Sequence, residues 1–188
     1  MEIKKENVLA AYETARKAGA DSTMKVLEAL FGKDTFKPKD ITERIKTFED
    51  ACRELDLDSE SLKQKWEDDN LMPDEIAYQK LRIICAALNE GWEPQFTEDE
   101  WRYYPWFWLY TQDEIDNMDE DEKTNRRLMS TGDYQTGYAG LASAYSNSAP
   151  SATNAYLGSR LCLKSDTLAV YCGKQFIDIW ADFYLIRK

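Results

Sequence analysis

The chain has 188 residues, of which 43% are hydrophobic, and a formal net charge of -11. The hydrophobic fraction is sufficient for a buried core, whereas the acidic balance argues against nucleic acid or anionic lipid as the main partner, since both require basic patches. Histidine is absent, which excludes Ser-His-Asp and Cys-His catalysis and imidazole metal sites.

The first half of the chain has the apolar spacing of helices. From Met1 to about Asn89, apolar residues recur at intervals of three and four, which places them on one side of a helix. Pro73 is a typical first helical residue, and Gly91 is a typical residue after a helix end. We therefore predict a helical region over residues 1–91, in which Ile41 to Leu55 forms one continuous helix.

No segment has the composition of a targeting or membrane-spanning sequence. The N-terminal residues lack the apolar core of a secretion signal, and no run approaches the roughly 20 apolar residues of a membrane span. The cysteines lie in apolar patterns without CxxC spacing: Cys52, Cys85, Cys162 and Cys172. We expect a protein made in the cytoplasm, with no signal peptide, no membrane insertion, and reduced, buried thiols.

Aromatic residues crowd the segment from Trp92 to Tyr110. Its last part alternates between two faces, which predicts a β-strand, and Pro105 favours an edge or a strand start. Such a density of rings is typical of an interface between two subdomains, which we favour, although a surface that stacks on sugars is an alternative. The acidic residues that follow, 111–128, predict a short exposed helix or loop.

The acidic residues that flank this strand raise two further possibilities. Paired carboxylates beside aromatic rings occur in glycosidases, and the run from Asp113 to Asp121 offers oxygen ligands of the kind that calcium prefers. However, nothing in the sequence marks one acid as buried, the spacing does not match an EF-hand loop, and no phosphate-binding glycine motif is present. We therefore predict no catalytic residue, no metal site and no cofactor.

The most unusual segment carries no charge. Between Asp133 and Arg160 there is no Asp, Glu, Lys or Arg, whereas Tyr, Ser, Thr and Asn recur. Antibody loops have this composition because Tyr supplies rigid contact area and small polar residues supply adaptable hydrogen bonds. A turn region that only joins strands is the structural alternative, but loops of this length are usually functional. The predicted ligand-binding residues are Tyr134, Tyr138, Ser143, Tyr145, Asn147, Ser148, Ser151, Thr153, Asn154 and Tyr156.

The C-terminal residues predict a strand followed by a helix. We expect the strand at Gly158 to Lys164 and a single helix that begins after Ser165 and runs to Phe183. Gly173 lies inside this helix, where glycine costs about 1 kcal/mol relative to alanine. Its presence predicts that another element approaches the helix closely there.

Four sequence landmarks resemble a group of mostly uncharacterised proteins from gut bacteriophages and prophages. They are AYQKLRIICAALNEGWEP, YYPWF, GSRLCLKS and GKQFIDIWADF. The residues between YYPWF and GSRLC resemble the variable region of targets of diversity-generating retroelements. This resemblance implies a C-type-lectin-like fold, with Gly158, Arg160 and Leu161 in a scaffold strand. The EPN, QPD and WND motifs of calcium-dependent lectins are absent.

These features together predict an α+β protein with two domains. The helical region, residues 1–91, is expected to pack on residues 92–188, a small mixed α/β, C-type-lectin-like display domain with a final helix. The resemblance implies a non-catalytic protein of phage or prophage origin that recognises a host-surface protein or glycan. As a phage protein it is expected to be associated with the virion. The alternative is an intracellular phage accessory or virion structural protein that uses the same surface to assemble with phage structural proteins or with itself.

Overall fold

The computed structural model describes residues 4–95, 97, 99–130, 132, 134, 139–150 and 158–188, and only the backbone of residues 144, 145 and 147–150. Helices and a small antiparallel sheet give an α+β fold, which confirms the predicted class. The chain divides into two units, Met1–Arg44 and Ile45–Lys188. Among the described residues, no helix combines the length and the apolar character needed to cross a membrane.

The unit Met1–Arg44 is built from short helices. These are α1 (Lys5–Lys17), α2 (Asp21–Phe31), a 3-10 helix (Lys33–Phe36) and α3 (Ile41–Arg44). The ring of Tyr12 stacks on that of Phe36 at 4.1 Å between centroids, and its hydroxyl donates a hydrogen bond of 2.6 Å to Glu28. These contacts join α1 to α2 and to the 3-10 helix.

Three helices open the second unit: α4 (Phe48–Glu54), α5 (Ser59–Asp68) and α6 (Pro73–Asn89). The predicted continuous helix over Ile41 to Leu55 is wrong, because α3 ends at Arg44 and α4 begins after Thr47. The Thr47 hydroxyl accepts from the Asp50 amide, and the Asp50 carboxylate accepts from the Thr47 amide. This reciprocal capping box starts a new helix, and the apolar spacing alone did not reveal it.

The sheet is built from β1 (Trp101–Tyr110), β2 (Met129–Ser130) and β3 (Gly140–Pro150). Their order is β1-β3-β2, and neighbouring strands are antiparallel. The predicted aromatic strand is therefore confirmed as β1. Trp106 pairs with Tyr145 and Phe107 pairs with Ser143, so Ala144 is an extra residue on β3. Such a bulge bends its strand and increases the local twist.

The strand of the C-terminal half lies earlier than the sequence pattern indicates. We expected a strand at Gly158 to Lys164, but Ser159–Leu161 is a 3-10 helix, and Leu163 forms a single bridge to Tyr103. The correct strand is β3, within the uncharged segment. Residues 161–163 are all fully buried, so their apolar character reflects complete burial rather than one face of a strand.

Short helices follow β1 and end the chain. The acidic residues, for which we predicted a short helix or a loop, form two short helices, α7 (Gln112–Asp116) and α8 (Glu120–Asn125). The C-terminal residues form α9 (Asp166–Gln175) and α10 (Ile177–Tyr184). Ser165 caps α9 by accepting a hydrogen bond of 3.3 Å from the Leu168 amide, as predicted. The single final helix that we expected is interrupted at Phe176, whose backbone leaves the helical region.

Gly173 marks the crossing of α9 over the paired strands β1 and β3. A Cβ atom at this position would lie 2.9 Å from Pro105 Cβ and 3.2 Å from Ser143 Oγ. The predicted close approach is therefore confirmed. Only a residue without a side chain lets the helix backbone lie this near the sheet.

The boundary between the units differs from the predicted domain boundary at residues 91 and 92. Helix α6 packs against α10 and α4, and its Asn89 side chain donates to the Cys162 carbonyl oxygen at 2.9 Å. Helices α4 to α6 consequently belong to the same unit as the sheet. The apolar face of α6 gives no indication of its partner, which is why the sequence placed it with the N-terminal helices.

Candidate functional site

Two of the predicted ligand-binding residues have buried side chains. Tyr134 is 6% exposed and Ser143 is 1% exposed. Tyr134 packs in an apolar cluster with Leu141 and Ile177, and the Ser143 side chain faces Gly173 of α9. Ser143 lies on the face of β3 that is turned towards α9, and Tyr134 packs against Leu141 of β3 and Ile177 of α10. These two residues therefore belong to the interior rather than to a displayed surface.

The other predicted residues fall into two groups. Tyr145, Asn147 and Ser148 lie on β3, where their backbones pair with Trp106, Tyr104 and Tyr103 of β1. The remaining ones lie outside the described residues: Tyr138, Ser151, Thr153, Asn154 and Tyr156. The structure thus places the first group on a strand held by β1.

Residues on both sides of 151–157 pair with the start of β1. On the N-terminal side, Pro150 pairs with Trp101. On the C-terminal side, Leu163 and Tyr103 exchange backbone hydrogen bonds of 3.1 and 2.8 Å. Both contacts are made by the backbone, so they do not depend on the side chains between Pro150 and Leu163.

The burial of Tyr134 can be tested through the pH dependence of the free energy of unfolding. Burial, followed by the 2.6 Å hydrogen bond from its hydroxyl to Asp182, raises the pKa of Tyr134 to about 12. A raised pKa means that the protonated tyrosine contributes stability that is fully present below about pH 10 and is lost as the pH rises towards 12.

We expect Tyr134→Phe to lower the free energy of unfolding by about 1–2 kcal/mol at neutral pH, because the hydrogen bond to a carboxylate is lost. The difference between wild type and variant should shrink between about pH 10 and 12. Denaturant unfolding at a series of alkaline pH values measures this. A difference that stays constant up to pH 12 would contradict the assignment.

A polar groove of about 680 Å³ lies in the second unit, between α6 and the 3-10 helix Ser159–Leu161. Four of its residues come from positions of α6 separated by three or four residues, which share one face of a helix. The groove is lined by Gln79, Arg82, Ala86, Asn89, Trp92, Glu93, Pro94, Ser159 and Arg160.

Asn89 joins the two walls of this groove. Its side chain is buried, donates to the Cys162 carbonyl at 2.9 Å and accepts from the Lys164 amide at 3.0 Å. The left-handed backbone of Glu90 and the positive φ of Gly91 turn the chain after α6. The Trp92 amide then bonds back to the Asn89 carbonyl at 2.9 Å, so Trp92 lines the same groove.

The charges around the groove differ from those of the whole chain. Its lining contains two arginines, Arg82 and Arg160, and one acid, Glu93, whereas the chain carries a net charge of -11. A third arginine, Arg102, is fully buried and donates to the Ser159 hydroxyl at 3.4 Å. The two arginines and one acid give the groove lining a net charge of +1, in contrast to the -11 of the whole chain.

A second hollow, of about 290 Å³, is apolar. It is lined by Pro105, Trp106, Phe107, Leu109, Leu141, Tyr184 and Leu185. No charged side chain is among these residues. Burial of Leu141 and partial burial of Phe107 make this hollow an extension of the core beneath the sheet.

Comparison with protein families, curated proteins and solved structures finds no match for this chain. Its function must therefore be argued from its own residues, and the phage resemblance remains a prediction.

The thiols are free and buried, as predicted. Burial raises the pKa of Cys162 to about 11 and also raises that of Cys52. A hydrogen bond with Cys172, followed by burial, raises the pKa of Cys85 well above its usual value. Within the part of the chain that the structure describes, no three Cys, Asp or Glu side chains are grouped so that they could hold a metal ion.

The sequence analysis does not predict the polar groove. In the sequence, Asn89 only marks the end of the helical region and Trp92 only the start of the aromatic segment. One signal was available, because Gln79, Arg82 and Asn89 place polar side chains at a helical spacing within an apolar helix. The contribution of Ser159 was not visible, since it depends on contacts across more than seventy residues of sequence, such as that between Asn89 and Cys162.

Proposed function

We propose that this chain is a non-catalytic ligand-binding protein of phage or prophage origin. In this proposal, the Tyr-, Ser- and Asn-rich segment from Thr136 to Tyr156 recognises a host-surface protein or glycan. The observation that supports the proposal best is that Pro150 pairs with Trp101 and Leu163 pairs with Tyr103, so that residues on both sides of 151–157 lie at the start of β1.

A surface that binds through variable side chains needs a frame that does not depend on them. Strand β3 pairs with β1 from Gly140 to Pro150 except at the bulge residue Ala144, and the contact at Gly173 holds α9 against both strands. Such a frame reduces the loss of conformational entropy on binding, because little of the backbone needs to be ordered by the ligand.

The composition of the segment also indicates the kind of contact. Tyrosine rings supply stacking faces, and Ser, Thr and Asn supply hydrogen bonds, while no side chain between Asp133 and Arg160 carries a fixed charge. Binding through this surface should therefore depend weakly on salt, because screening acts on charges.

The test is a triple variant, Tyr145→Ala with Asn154→Ala and Tyr156→Ala. Wild type and variant are applied to arrayed bacterial surface glycans and to purified surface proteins at low and high salt. We expect the wild type to bind at least one probe at both salt concentrations. The triple variant should lose this binding and unfold at the same denaturant concentration as the wild type.

The matched control replaces two exposed polar residues elsewhere, Gln64→Ala with Asn125→Ala, and should bind like the wild type. Unchanged binding by the triple variant would contradict the proposal, as would binding that disappears above a few hundred millimolar salt. Loss of self-association in place of loss of probe binding, measured by sedimentation, would support the assembly alternative instead.

A further inference from the structure

We infer that the polar groove between α6 and the 3-10 helix Ser159–Leu161 is a separate binding site for an anionic sugar, that is, a sugar ring that carries a carboxylate or a phosphate. This inference goes beyond the proposed function, because no residue that lines the groove belongs to the predicted display residues. Three features of the groove support it: the charge of its lining, the ring of Trp92 and the fixed position of its walls.

The charge of the groove selects an anion. Arg82 lines it from α6 and Arg160 from the 3-10 helix, so guanidinium groups come from both walls. Guanidinium groups bind carboxylates and phosphates through two parallel hydrogen bonds, which gives both affinity and orientation. Behind the lining, the fully buried Arg102 donates to the Ser159 hydroxyl and so fixes the position of a polar group at the wall of the groove.

The remaining lining suits a sugar ring rather than a bare ion. Trp92 is half-buried and lines the groove, where its ring offers a face for the apolar side of a sugar. The Gln79 amide and the Ser159 hydroxyl supply hydrogen bonds for sugar hydroxyls. The volume of about 680 Å³ falls in the range of roughly 300–1,000 Å³ that small-molecule sites occupy.

Three of the groove residues, Arg82, Asn89 and Ser159, are already held in place. Arg82 donates to Gln79 Oε1 at 3.3 Å, and its guanidinium lies over the Tyr78 ring, 5.8 Å from the centroid. Arg102 holds Ser159, and Asn89 ties the two walls together. Binding therefore requires little ordering of side chains, which favours affinity even for a small ligand.

The experiment uses the full chain and three small probes: D-glucuronate, glucose 6-phosphate and D-glucose. Nuclear magnetic resonance titrations follow the indole signal of Trp92, which Trp92→Phe assigns. We expect at least one anionic sugar to shift this signal with a dissociation constant of about 1 mM, as expected for a ligand of this size. Glucose should bind at least about tenfold more weakly, because the groove then loses its ionic contacts.

The matched pair of variants is Arg160→Gln and Arg53→Gln. Both remove one exposed arginine, but Arg53 pairs with Asp50 on α4 and does not line the groove. Arg160→Gln should weaken binding of the anionic sugar about tenfold or more, since an ionic hydrogen bond is lost. Arg53→Gln should leave it unchanged.

The relative affinities of glucuronate and glucose 6-phosphate distinguish a carboxylate ligand from a phosphate ligand. The inference is overturned if neither anion shifts the Trp92 signal, if glucose binds equally well, or if the two arginine variants have the same effect. If Arg160→Gln unfolds, the same titration is made with Arg160→Lys, which keeps the charge but loses the two parallel hydrogen bonds of the guanidinium. The triple variant in the display segment should still bind the anionic sugar, so failure here and failure of the display function are separable.

Discussion

Replacing Trp180 by alanine should lower the free energy of unfolding of the unit Ile45–Lys188 by about 4 kcal/mol. The side chain is fully buried. Its ring lies 5.6 Å from that of Phe107 on β1 and 5.7 Å from that of Tyr184 on α10. Removing the indole empties the space between the sheet and the last helix, and such a large cavity cannot be refilled by small shifts of its neighbours.

The matched control is Trp101→Ala, at a tryptophan that is 51% exposed at the first residue of β1. This change should cost about half as much, because about half of the ring is already exposed to water and its removal leaves no closed cavity. Denaturant unfolding followed by near-ultraviolet circular dichroism reports the two values. Similar losses for the two variants would show that Trp180 is not the centre of this core.

Features fixed by neighbouring residues could be predicted from the sequence. The strand β1 follows from alternating aromatic residues, and the start of α9 follows from Ser165, whose hydroxyl caps the helix. Gly173 could be interpreted because a glycine inside a helix is costly unless space requires it. In each case the cause lies within one element or one turn of the chain.

Features that depend on distant partners could not be predicted. The uncharged segment has no strong strand pattern, and residues 140–150 become β3 because the aromatic strand β1 supplies a complete row of backbone partners. Ser143 looked like a displayed residue, but the pairing of β3 turns its side chain towards Gly173. A serine has no intrinsic preference strong enough to reveal which face of a strand it occupies.

The candidate sites also combine features that neighbouring residues fix with features that depend on distant partners. The Tyr-, Ser- and Asn-rich composition is visible in the sequence, whereas the anchorage of its ends requires Leu163 to return beside Tyr103. The polar groove combines residues from α6 with Ser159 and Arg160. Spacing within a helix can group the first set, but only tertiary structure adds the second.

Replacing Asn89 by aspartate should lower the free energy of unfolding of the unit Ile45–Lys188 by about 3 kcal/mol. It should also lower the affinity of the polar groove for an anionic sugar. The amide nitrogen of Asn89 donates to the Cys162 carbonyl at 2.9 Å, and the amide oxygen accepts from the Lys164 amide. Aspartate keeps the acceptor but loses the donor. It also places a charged oxygen beside a carbonyl oxygen in a site that is 6% exposed, where neither group can turn to water.

Denaturant unfolding measures this loss, and Asn7→Asp is the matched control. Asn7 is exposed in the first turn of α1, where a negative charge is compatible with the helix dipole, so we expect a change below about 0.5 kcal/mol. A loss at Asn89 as small as that at Asn7 would mean that the two hydrogen bonds do not hold residues 162–164 against α6. The groove would then lack the fixed walls that its two arginines require to act on one anion together, and Asn89→Asp would leave anionic-sugar affinity unchanged instead of lowering it.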